Sequence, residues 1–381
     1  MREVADQRGL TIVLIAPAAS VHTARWSAAL ADAGHRVVVA SWQSGPRPPG
    51  AELRVAPGAG TWPGRRAVMA VGWLRRLMRD IRPDVVHVQS VGVHGLLAMA
   101  LPGGSVRVVT PWGSELRAAH HSALRAAAIR LALRRADLVL PTSAEVAAEL
   151  ADRYRVPPAR TRVLSWGVPA SMISALPRIS AAAVRSDFGI PGDATVVLSI
   201  RSASATYRTR EIVSAFALAV RDRPDLYLVV LAGHRPDRES TRRAKDSYLS
   251  LVRAAAGDLQ DRILIVDRAL SSHQTFELMR ASDIAVSIPV GDQRSSSVLE
   301  AALAGCHLIL ADLGPYQEMV SDGLAADLIA EPIVRTLAQH LRAASADEVS
   351  RRDNAEFILA HENGADKVAE LERMYRHLCL R

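Results

Sequence analysis

The feature that most constrains this chain is the alternation of short, continuously apolar segments with longer helix-forming ones from one end to the other. The apolar segments are TIVLIAP, RVVVAS, DVVHVQS, VRVVTPW, DLVLPTS and RVLSWGV, then TVVLSIR, LYLVVLAG, RILIVDR, DIAVSIP, HLILAD and LAADLIA. Strands of a parallel sheet have this composition, because helices cover both faces of such a sheet. The pattern therefore predicts an α/β protein with parallel sheets.

The segments between these strands are typical of helices and loops. We predict a Pro- and Gly-rich loop at 43–64, a helix that contains 71–82, and further helices at 21–34, 92–101, 122–135, 144–154, 209–221, 238–256, after Ser271 and at 298–305. The helix at 298–305 ends on Gly305, the usual residue just past a helix C-terminus.

The alternation stops between Val168 and Ile190, where Pro, Ser and small residues replace it. Such a change indicates a domain boundary. We predict an N-terminal domain at 1–168, a linker at 169–190, a C-terminal domain at 191–355 and a helical segment at 356–381 that packs back toward the N-terminal domain. Two doubly wound domains that face each other would bind a ligand in the cleft between them, at the strand ends.

Composition excludes some classes of protein. The net charge of +8 comes almost wholly from arginine, since Lys245 and Lys367 are the only lysines, and aromatic residues make up 4%. Arginines spread along the chain do not indicate a nucleic-acid surface, and an anionic membrane surface is left open without being indicated. Cys306 and Cys379 predict no disulfide framework, and the chain has no apolar signal core. We expect a cytoplasmic protein of unspecified oligomeric state.

One segment carries more chemistry than the others. VGDQRSSSVLEAALAG (290–305) reads as loop and helix after a buried strand, with serines at the helix N-terminus. Free amides and the positive end of the helix dipole make that position a site for an anion such as phosphate. Glu300, one turn into the helix, could reach vicinal hydroxyls, and Asp292 could point into the cleft. From the residues alone, a second interpretation is equally favoured, in which Asp292 is a loop or capping residue and Glu300 a solvated helix position.

The same segment, with HLILADLGPYQEMVSDG after it, resembles the acid-x7-Glu region of retaining glycosyltransferases of family 4, which have the GT-B fold of two Rossmann-like domains. The resemblance implies that Glu300 binds a ribose and that Asp292 lies beside the transferred sugar. It also implies that the amides of Ser296 and Ser297 hold the diphosphate, and that Arg294 belongs to the donor-binding set.

The resemblance extends over most of the chain. HTARWSAALADAGHRVVVAS, DVVHVQS and TPWGSEL are similar to N-domain elements, and SIRSASATYRTREIVSAFA to the start of the donor domain, where the family places a basic pair on the diphosphate. Arg201 matches the first member of the pair. The usual lysine is missing, and Arg208 or Arg210 is its candidate replacement. By the same resemblance, Gly233 would allow close backbone approach and the main chain around Arg268 would contact the base.

Two departures concern the acceptor side. TPWGSEL lacks the histidine that many family members carry there, and APAASVHTARW lacks their glycine pair. His22, Glu115 and His94 are therefore only acceptor candidates. For each lone histidine, including His87 and His94, a structural role is the favoured interpretation.

The resemblance implies a retaining glycosyltransferase that moves a sugar from a UDP or GDP sugar to an acceptor, a small natural product among them. No Asp-x-Asp motif is present, and arginines with a helix dipole can neutralise the leaving diphosphate, so no metal or other cofactor is expected. The alternatives are a non-catalytic sugar-nucleotide-binding subunit, or another GT-B enzyme such as a sugar-nucleotide epimerase. A dinucleotide dehydrogenase is disfavoured because no G-x-G-x-x-G follows the first or eighth strand.

Overall fold

The structure, a computed structural model, describes residues 8–58, 63–92, 95, 103–233, 239–344 and 348–381. The chain forms two compact units. Unit 1 comprises Met1–Trp166 and Gly364–Arg381, and unit 2 comprises Gly167–Asn363. None of the helices within the described ranges is long and apolar enough to cross a membrane.

Unit 1 is built on a six-stranded parallel sheet in the order β3-β2-β1-β4-β5-β6. Its strands are β1 (Thr11–Ile15), β2 (Arg36–Ser41), β3 (Ala51–Val55), β4 (Val85–Gln89), β5 (Val106–Thr110) and β6 (Leu138–Val139). Its described helices are α1 (Val21–Asp32), α2 (Pro63–Ile81), α3 (Ser114–His120), α4 (Ala123–Arg134), α5 (Ala144–Tyr154) and, at the C-terminus, α15 (Gly364–Cys379), with a 3-10 turn at Pro158–Arg160. Helices α1 and α15 pack on the sheet face that carries Ile12 and Leu14. Helices α2, α4 and α5 cover the face that carries Val13 and Ile15.

Unit 2 repeats this plan with the order β12-β11-β10-β7-β8-β9. Its strands are β7 (Thr195–Ser199), β8 (Leu226–Leu231), β9 (Ile263–Val266), β10 (Ile284–Ser287), β11 (His307–Ala311) and β12 (Asp327–Ile329). Its helices are α6 (Ala170–Ala175), α7 (Ala181–Asp187), α8 (Thr209–Ala219), α9 (Glu239–Ala256), α10 (Ser272–Arg280), α11 (Ser296–Ala304), α12 (Gly314–Ser321), α13 (Ile333–Ala343) and α14 (Glu348–His361), with 3-10 turns at Leu176–Arg178 and Gly257–Arg262. The described helices α8, α9 and α13 cover one face, and the other helices pack mainly on the opposite face.

Both sheets have the strand order of a doubly wound fold, and this confirms the predicted fold class. Such an order reverses once, between β1 and β4 in unit 1 and between β7 and β10 in unit 2. At a reversal the connections after the two central strands diverge, so the carboxyl ends of the strands border a crevice. Gly305 ends α11 in the left-handed conformation, with φ of 88°, as its position predicted.

Three local predictions were wrong. The predicted loop at 43–64 contains β3, an edge strand whose residues become progressively more exposed, so that no continuous apolar run marked it. RVLSWGV (162–168) is not a strand of either sheet. Its Val168 forms an isolated bridge to Asn363, and Thr161 just before the segment forms one to Val139. TPWGSEL begins the unpredicted helix α3 after Gly113. The predicted helix at 92–101 falls almost entirely outside the described residues.

The observed division of the chain differs from the predicted linker and C-terminal segment. Residues 169–190 form α6 and α7, and they contribute Met172, Val184 and Ile190 to the core of unit 2. The chain returns to unit 1 at Gly364, so that α14 belongs to unit 2 and only α15 to unit 1. Small residues and prolines indicated a break in the sheet pattern, but these short helices still bury their apolar side chains.

A buried histidine holds α15 against the sheet of unit 1. His87 on β4 is 1% exposed. One ring nitrogen contacts the Tyr375 hydroxyl of α15 at 2.5 Å and the other contacts the Thr110 hydroxyl at 2.8 Å. Burial lowers the pKa of His87 to about 3, so the folded state keeps the ring neutral. The favoured structural role of this histidine is thus the one observed.

The buried neutral ring predicts loss of stability in acid. An unfolded chain protonates this histidine below its ordinary pKa of about 6.5, whereas the folded chain protonates it only near pH 3. Stability should therefore fall as the pH drops through this window, by up to about 1.4 kcal/mol per pH unit from this group. In urea unfolding between pH 6.5 and 4, His87→Asn should flatten the pH dependence, whereas His273→Asn, at an exposed position, should not. Parallel curves for wild type and His87→Asn would contradict this assignment.

A buried ion pair fixes the place where the chain leaves unit 2. Arg294, whose side chain is 7% exposed, donates from Nε to the Glu362 carboxylate at 2.7 Å and from Nη1 to Asp322 at 2.9 Å. The carbonyl of Glu362 accepts a bond from the amide of Val168 at 2.7 Å, which joins the two chain crossings. The predicted donor-binding arginine Arg294 is therefore bound to carboxylates of its own unit.

Removing Arg294 should destabilise unit 2, because it would leave the Glu362 carboxylate buried without its cation. We expect Arg294→Met to lower the free energy of unfolding by about 3 kcal/mol, measured by urea denaturation. Arg352→Met, which removes an arginine from an exposed surface pair on α14, should change it by less than about 0.5 kcal/mol. An Arg294→Met variant of unchanged stability would show that the pair contributes nothing.

Candidate functional site

The candidate site lies at the carboxyl ends of β7 and β10, the two strands between which the strand order of unit 2 reverses. Arg201 follows β7, and the loop that carries Asp292 and Ser295 follows β10. Because the two strands are parallel neighbours, residues 91 positions apart in sequence meet at one edge of the sheet. This is where doubly wound folds bind ligands.

Arg201 is the centre of the site. Its Nη1 donates to Oδ2 of Asp292 at 3.0 Å and to the hydroxyl of Ser295, and its Nη2 donates to the hydroxyl of Tyr207 at 2.8 Å. The guanidinium also lies over the Tyr207 ring, 4.4 Å from its centroid. Burial by itself would lower the pKa of Arg201, but the Asp292 carboxylate raises it above its ordinary value. The site therefore contains a permanent, largely buried positive charge.

Asp292 is held from several sides. Its Oδ2 accepts bonds from Arg201 and from the Tyr316 hydroxyl at 2.8 Å, and its Oδ1 accepts one from the Gln293 amide at 3.0 Å. Tyr316 is fully buried on α12, and its hydroxyl lies 3.1 Å from that of Ser287 at the end of β10. Burial first, and then the Asp292 carboxylate, raise the pKa of Tyr316 well above its ordinary value, so Tyr316 acts as a donor.

The N-terminus of α11 adjoins this pair. Ser295 is the N-cap residue, but its hydroxyl accepts from Arg201 and does not cap a backbone amide of the helix. Ser296 and Ser297 form the first turn and are half-buried, and the amides of a first helical turn have no partner within the helix. Amides, dipole and guanidinium together favour an anion here. Glu300, one turn further on, is 4% exposed, so it is not the solvated helix position that was its alternative reading.

Gly233 and Arg268 are neighbours at the ends of β8 and β9. A Cβ on Gly233 would lie 1.7 Å from the carbonyl oxygen of Arg268, so no other residue fits against this main chain. The Arg268 guanidinium packs over the ring of Phe188, 4.9 Å from its centroid. The close backbone approach at Gly233 is thus made by the Arg268 main chain, beside the site.

The predicted replacements for the family lysine do not join the contacts of Arg201. Arg208 caps α8 with φ of 49° and donates to Glu331 at 2.9 Å, and the amide of Arg210 donates to the Tyr248 hydroxyl at 3.1 Å. A lysine that was not predicted as a site residue contacts the residue next to Arg201. Lys245 on α9 donates to the hydroxyl of Ser202, the residue after Arg201, at 3.4 Å. No motif marked it, because it lies 44 residues from Arg201 and only helix α9 brings it there.

The acceptor candidates lie in unit 1, two of them within the described residues. The His22 ring stacks on Trp166, with centroids 4.4 Å apart, and meets the edge of Trp112. The Glu115 carboxylate accepts from the amides of Val91 at 2.9 Å and Trp112 at 2.8 Å, so it ties together the loops after β4 and β5.

His94 is outside the described residues. Trp26, Trp112, Trp166 and His22 form a cluster of rings that was not predicted, because its members are scattered along the chain. Across the described ranges, no three His, Cys, Asp or Glu side chains are grouped so that they could hold a metal ion.

Comparison with known proteins bears on the N-terminal part of the chain and on the fold. Residues 19–171 match the model of Glycosyltransferase Family 4. No curated protein matches the sequence. Among solved structures, sucrose-phosphate synthase from Thermosynechococcus elongatus is similar, with a TM-score of 0.77 and 18% identity over 97% of this chain and 99% of that one.

Two further solved structures share the fold. Anabaena HepE in complex with UDP and glucose has a TM-score of 0.76 and 14% identity, over 97% of this chain and 100% of that one. WaaG, a glycosyltransferase involved in lipopolysaccharide biosynthesis, has a TM-score of 0.72 and 16% identity, over 96% and 99%. At these identities the structures are evidence for the fold alone. The family match thus covers the N-terminal part of the chain, and the solved structures show that the chain has the GT-B fold of two Rossmann-like units.

Proposed function

We propose that the protein is a retaining glycosyltransferase that binds a nucleoside-diphosphate sugar in unit 2, binds an acceptor in unit 1 and needs no metal ion. The observation that carries the proposal is the buried Arg201 guanidinium, which lies beside Asp292 and at the N-terminus of α11. Glu300 one turn further on adds an acceptor for ribose hydroxyls. This set matches a diphosphate that links a nucleoside to a sugar.

The roles of these groups follow from where negative charge develops during the reaction. As the bond between the sugar carbon and the phosphate oxygen breaks, negative charge builds on the diphosphate, where Arg201 and the amides of Ser296 and Ser297 stabilise it. The attacking acceptor atom forms its bond to the sugar carbon on the face that the phosphate leaves, and its proton passes to the leaving phosphate oxygen. Asp292 lies beside the sugar. This route uses no nucleophile and acid pair of the kind found in glycoside hydrolases.

Among nucleotides, a UDP sugar is the first candidate, with a GDP sugar as the second. HepE, which shares the fold, has been solved with UDP and with UDP-glucose. We assign Lys245 to the second cation of the diphosphate site, because it reaches the residue next to Arg201. The acceptor, a small natural-product intermediate among the candidates, is assigned to unit 1 near His22. The cytoplasm, where the two unpaired cysteines would stay reduced, is the expected compartment.

A non-catalytic sugar-nucleotide-binding subunit is the second candidate. The specific observation in its favour is that the loop after β5 has no histidine and that its one carboxylate, Glu115, is already bound by two backbone amides. Such a subunit would bind the nucleotide sugar and never consume it. Release of UDP from UDP-glucose, as transfer or as slow hydrolysis, therefore separates the two functions.

Nucleotide binding should stabilise the protein, and two substitutions should weaken it. At a concentration 100 times its Kd, a ligand of the folded state adds about 2.7 kcal/mol. We expect UDP to raise the melting temperature of wild type, and we expect Glu300→Gln and Lys245→Ala each to weaken UDP binding roughly tenfold, which removes about 1.4 kcal/mol of that effect. Thermal melting with a panel of nucleoside diphosphates and their sugars measures both the shift and the preferred base.

Lys367→Ala is the matched control, since it removes the chain's other lysine, which lies on α15 in unit 1. It should leave the UDP response unchanged. If no nucleotide shifts wild type, the proposed donor site is wrong. If wild type responds and Glu300→Gln responds equally, the site is elsewhere in the chain.

A further inference from the structure

The guanidinium expected to hold the diphosphate is already occupied by groups of the protein. Arg201 donates to Asp292, Ser295 and Tyr207, so both of its terminal nitrogens have partners. A phosphate oxygen that binds Nη1 therefore has to replace one of its two acceptors, Asp292 or Ser295. Arginine binds carboxylate and phosphate oxygens through the same planar fork, and Asp292 is the partner that carries a negative charge.

The surroundings of Asp292 show where its carboxylate can go. Its side chain is 15% exposed, and Oδ2 is shared between Arg201 and the Tyr316 hydroxyl. Tyr316 is buried with no exposed surface, and its hydroxyl also lies beside Ser287. The tyrosine is therefore fixed, whereas Arg201 is the partner for which a second anion would compete.

We propose that Asp292 is an internal occupant of the diphosphate subsite, displaced from Arg201 when a nucleotide binds, and that Tyr316 keeps the displaced carboxylate in place beside the sugar. This inference rests on the proposed function. The exchange keeps the buried Arg201 charge compensated in both states, first by the carboxylate and then by the diphosphate. Two anions near one guanidinium repel each other, so Asp292 weakens nucleotide binding while it serves the reaction. Tyr316 is a positioning residue, because it acts through Asp292.

The inference predicts an effect opposite in sign to that of a simple ligand contact. Asp292→Asn should bind UDP about tenfold more tightly than wild type, because the competing charge is gone, while UDP release from UDP-glucose falls at least about tenfold. Isothermal titration calorimetry gives the Kd, and a coupled assay for UDP gives turnover. Asp225→Asn is the matched control. It neutralises an aspartate that pairs with Arg223 just before β8, at the amino ends of the strands of the same unit. It should change neither the Kd for UDP nor the turnover.

Tyr316→Phe tests the positioning role separately. Without the hydroxyl, the displaced Asp292 carboxylate loses the hydrogen bond that positions it. We therefore expect kcat to fall about tenfold while the KM for UDP-glucose changes less than about threefold. A tyrosine that only fills the core would leave kcat unchanged once the variant is folded. Melting curves without ligand verify folding of each variant, and Asp292→Ser replaces Asp292→Asn if the latter is unfolded.

The outcomes separate the inference from the proposed function. If wild type binds UDP and the folded neutral variant at 292 binds it equally or more weakly, the internal-occupant proposal is wrong and the donor site stands. If wild type binds no nucleoside diphosphate, the proposed function is wrong and this inference falls with it. Tighter binding in the neutral variants together with slower turnover supports both.

Discussion

The site depends on the need to compensate one buried positive charge. A guanidinium that is largely removed from water is tolerated only where anions and hydrogen-bond acceptors surround it. Around Arg201 these are Asp292, Ser295 and Tyr207, and they come from both sides of the point where the strand order reverses. The loop after β10 is thereby held against the loop after β7. The same contacts leave the helix N-terminus of α11 without a side-chain cap and available to an anion.

A second buried arginine holds the other side of the same loop. Arg294 is only two residues from Asp292, yet its side chain reaches Glu362, at the end of unit 2. Helix α12 contributes to both arrangements, since Tyr316 donates to Asp292 while Glu318 and Asp322 lie near Arg294. The short segment 292–295 is therefore anchored by two arginine side chains, Arg201 and Arg294, that have different roles. One faces the site, and the other is part of the architecture of the unit.

The two units solve the same folding problem with different chemistry at the strand ends. In both, a sheet buried on two faces places loops at its carboxyl edge. In unit 2 that edge carries the charges that suit a diphosphate. In unit 1 it carries aromatic rings, with His22 stacked on Trp166 and the Glu115 carboxylate bound to backbone amides. Unit 2 thus carries charged groups at this edge and unit 1 carries aromatic rings, a difference on which the proposed assignment of donor and acceptor rests.

Much of the fold could be predicted from local pattern. Buried parallel strands are continuous apolar runs, and the predicted central strands β1, β2, β7 and β10 lie where the sequence placed them. Edge strand β3 was not predicted, because an edge strand needs no continuous apolar run. The short helices at 169–190 were not predicted, because their prolines and serines are typical of linkers. Their apolar side chains pack against the core of unit 2. For the site, Asp292, Glu300, Arg201, Ser296 and Ser297 were predicted from motif and resemblance. The structure brings Arg201 and Asp292 into contact and adds Ser295, which was not among the predicted residues.

The sequence by itself determined the alternation of strands and helices, and hence the doubly wound plan, because hydrophobic burial is read directly from composition along the chain. Only the tertiary structure decided how each charge is used. Arg294 was a donor-binding candidate by position, and folding directs it to Glu362, which lies 68 residues further along the chain. Lys245 carried no signal, and helix α9 brings it to Ser202. The direction of a long, flexible side chain depends on the partners that folding supplies, and those partners are distant in sequence.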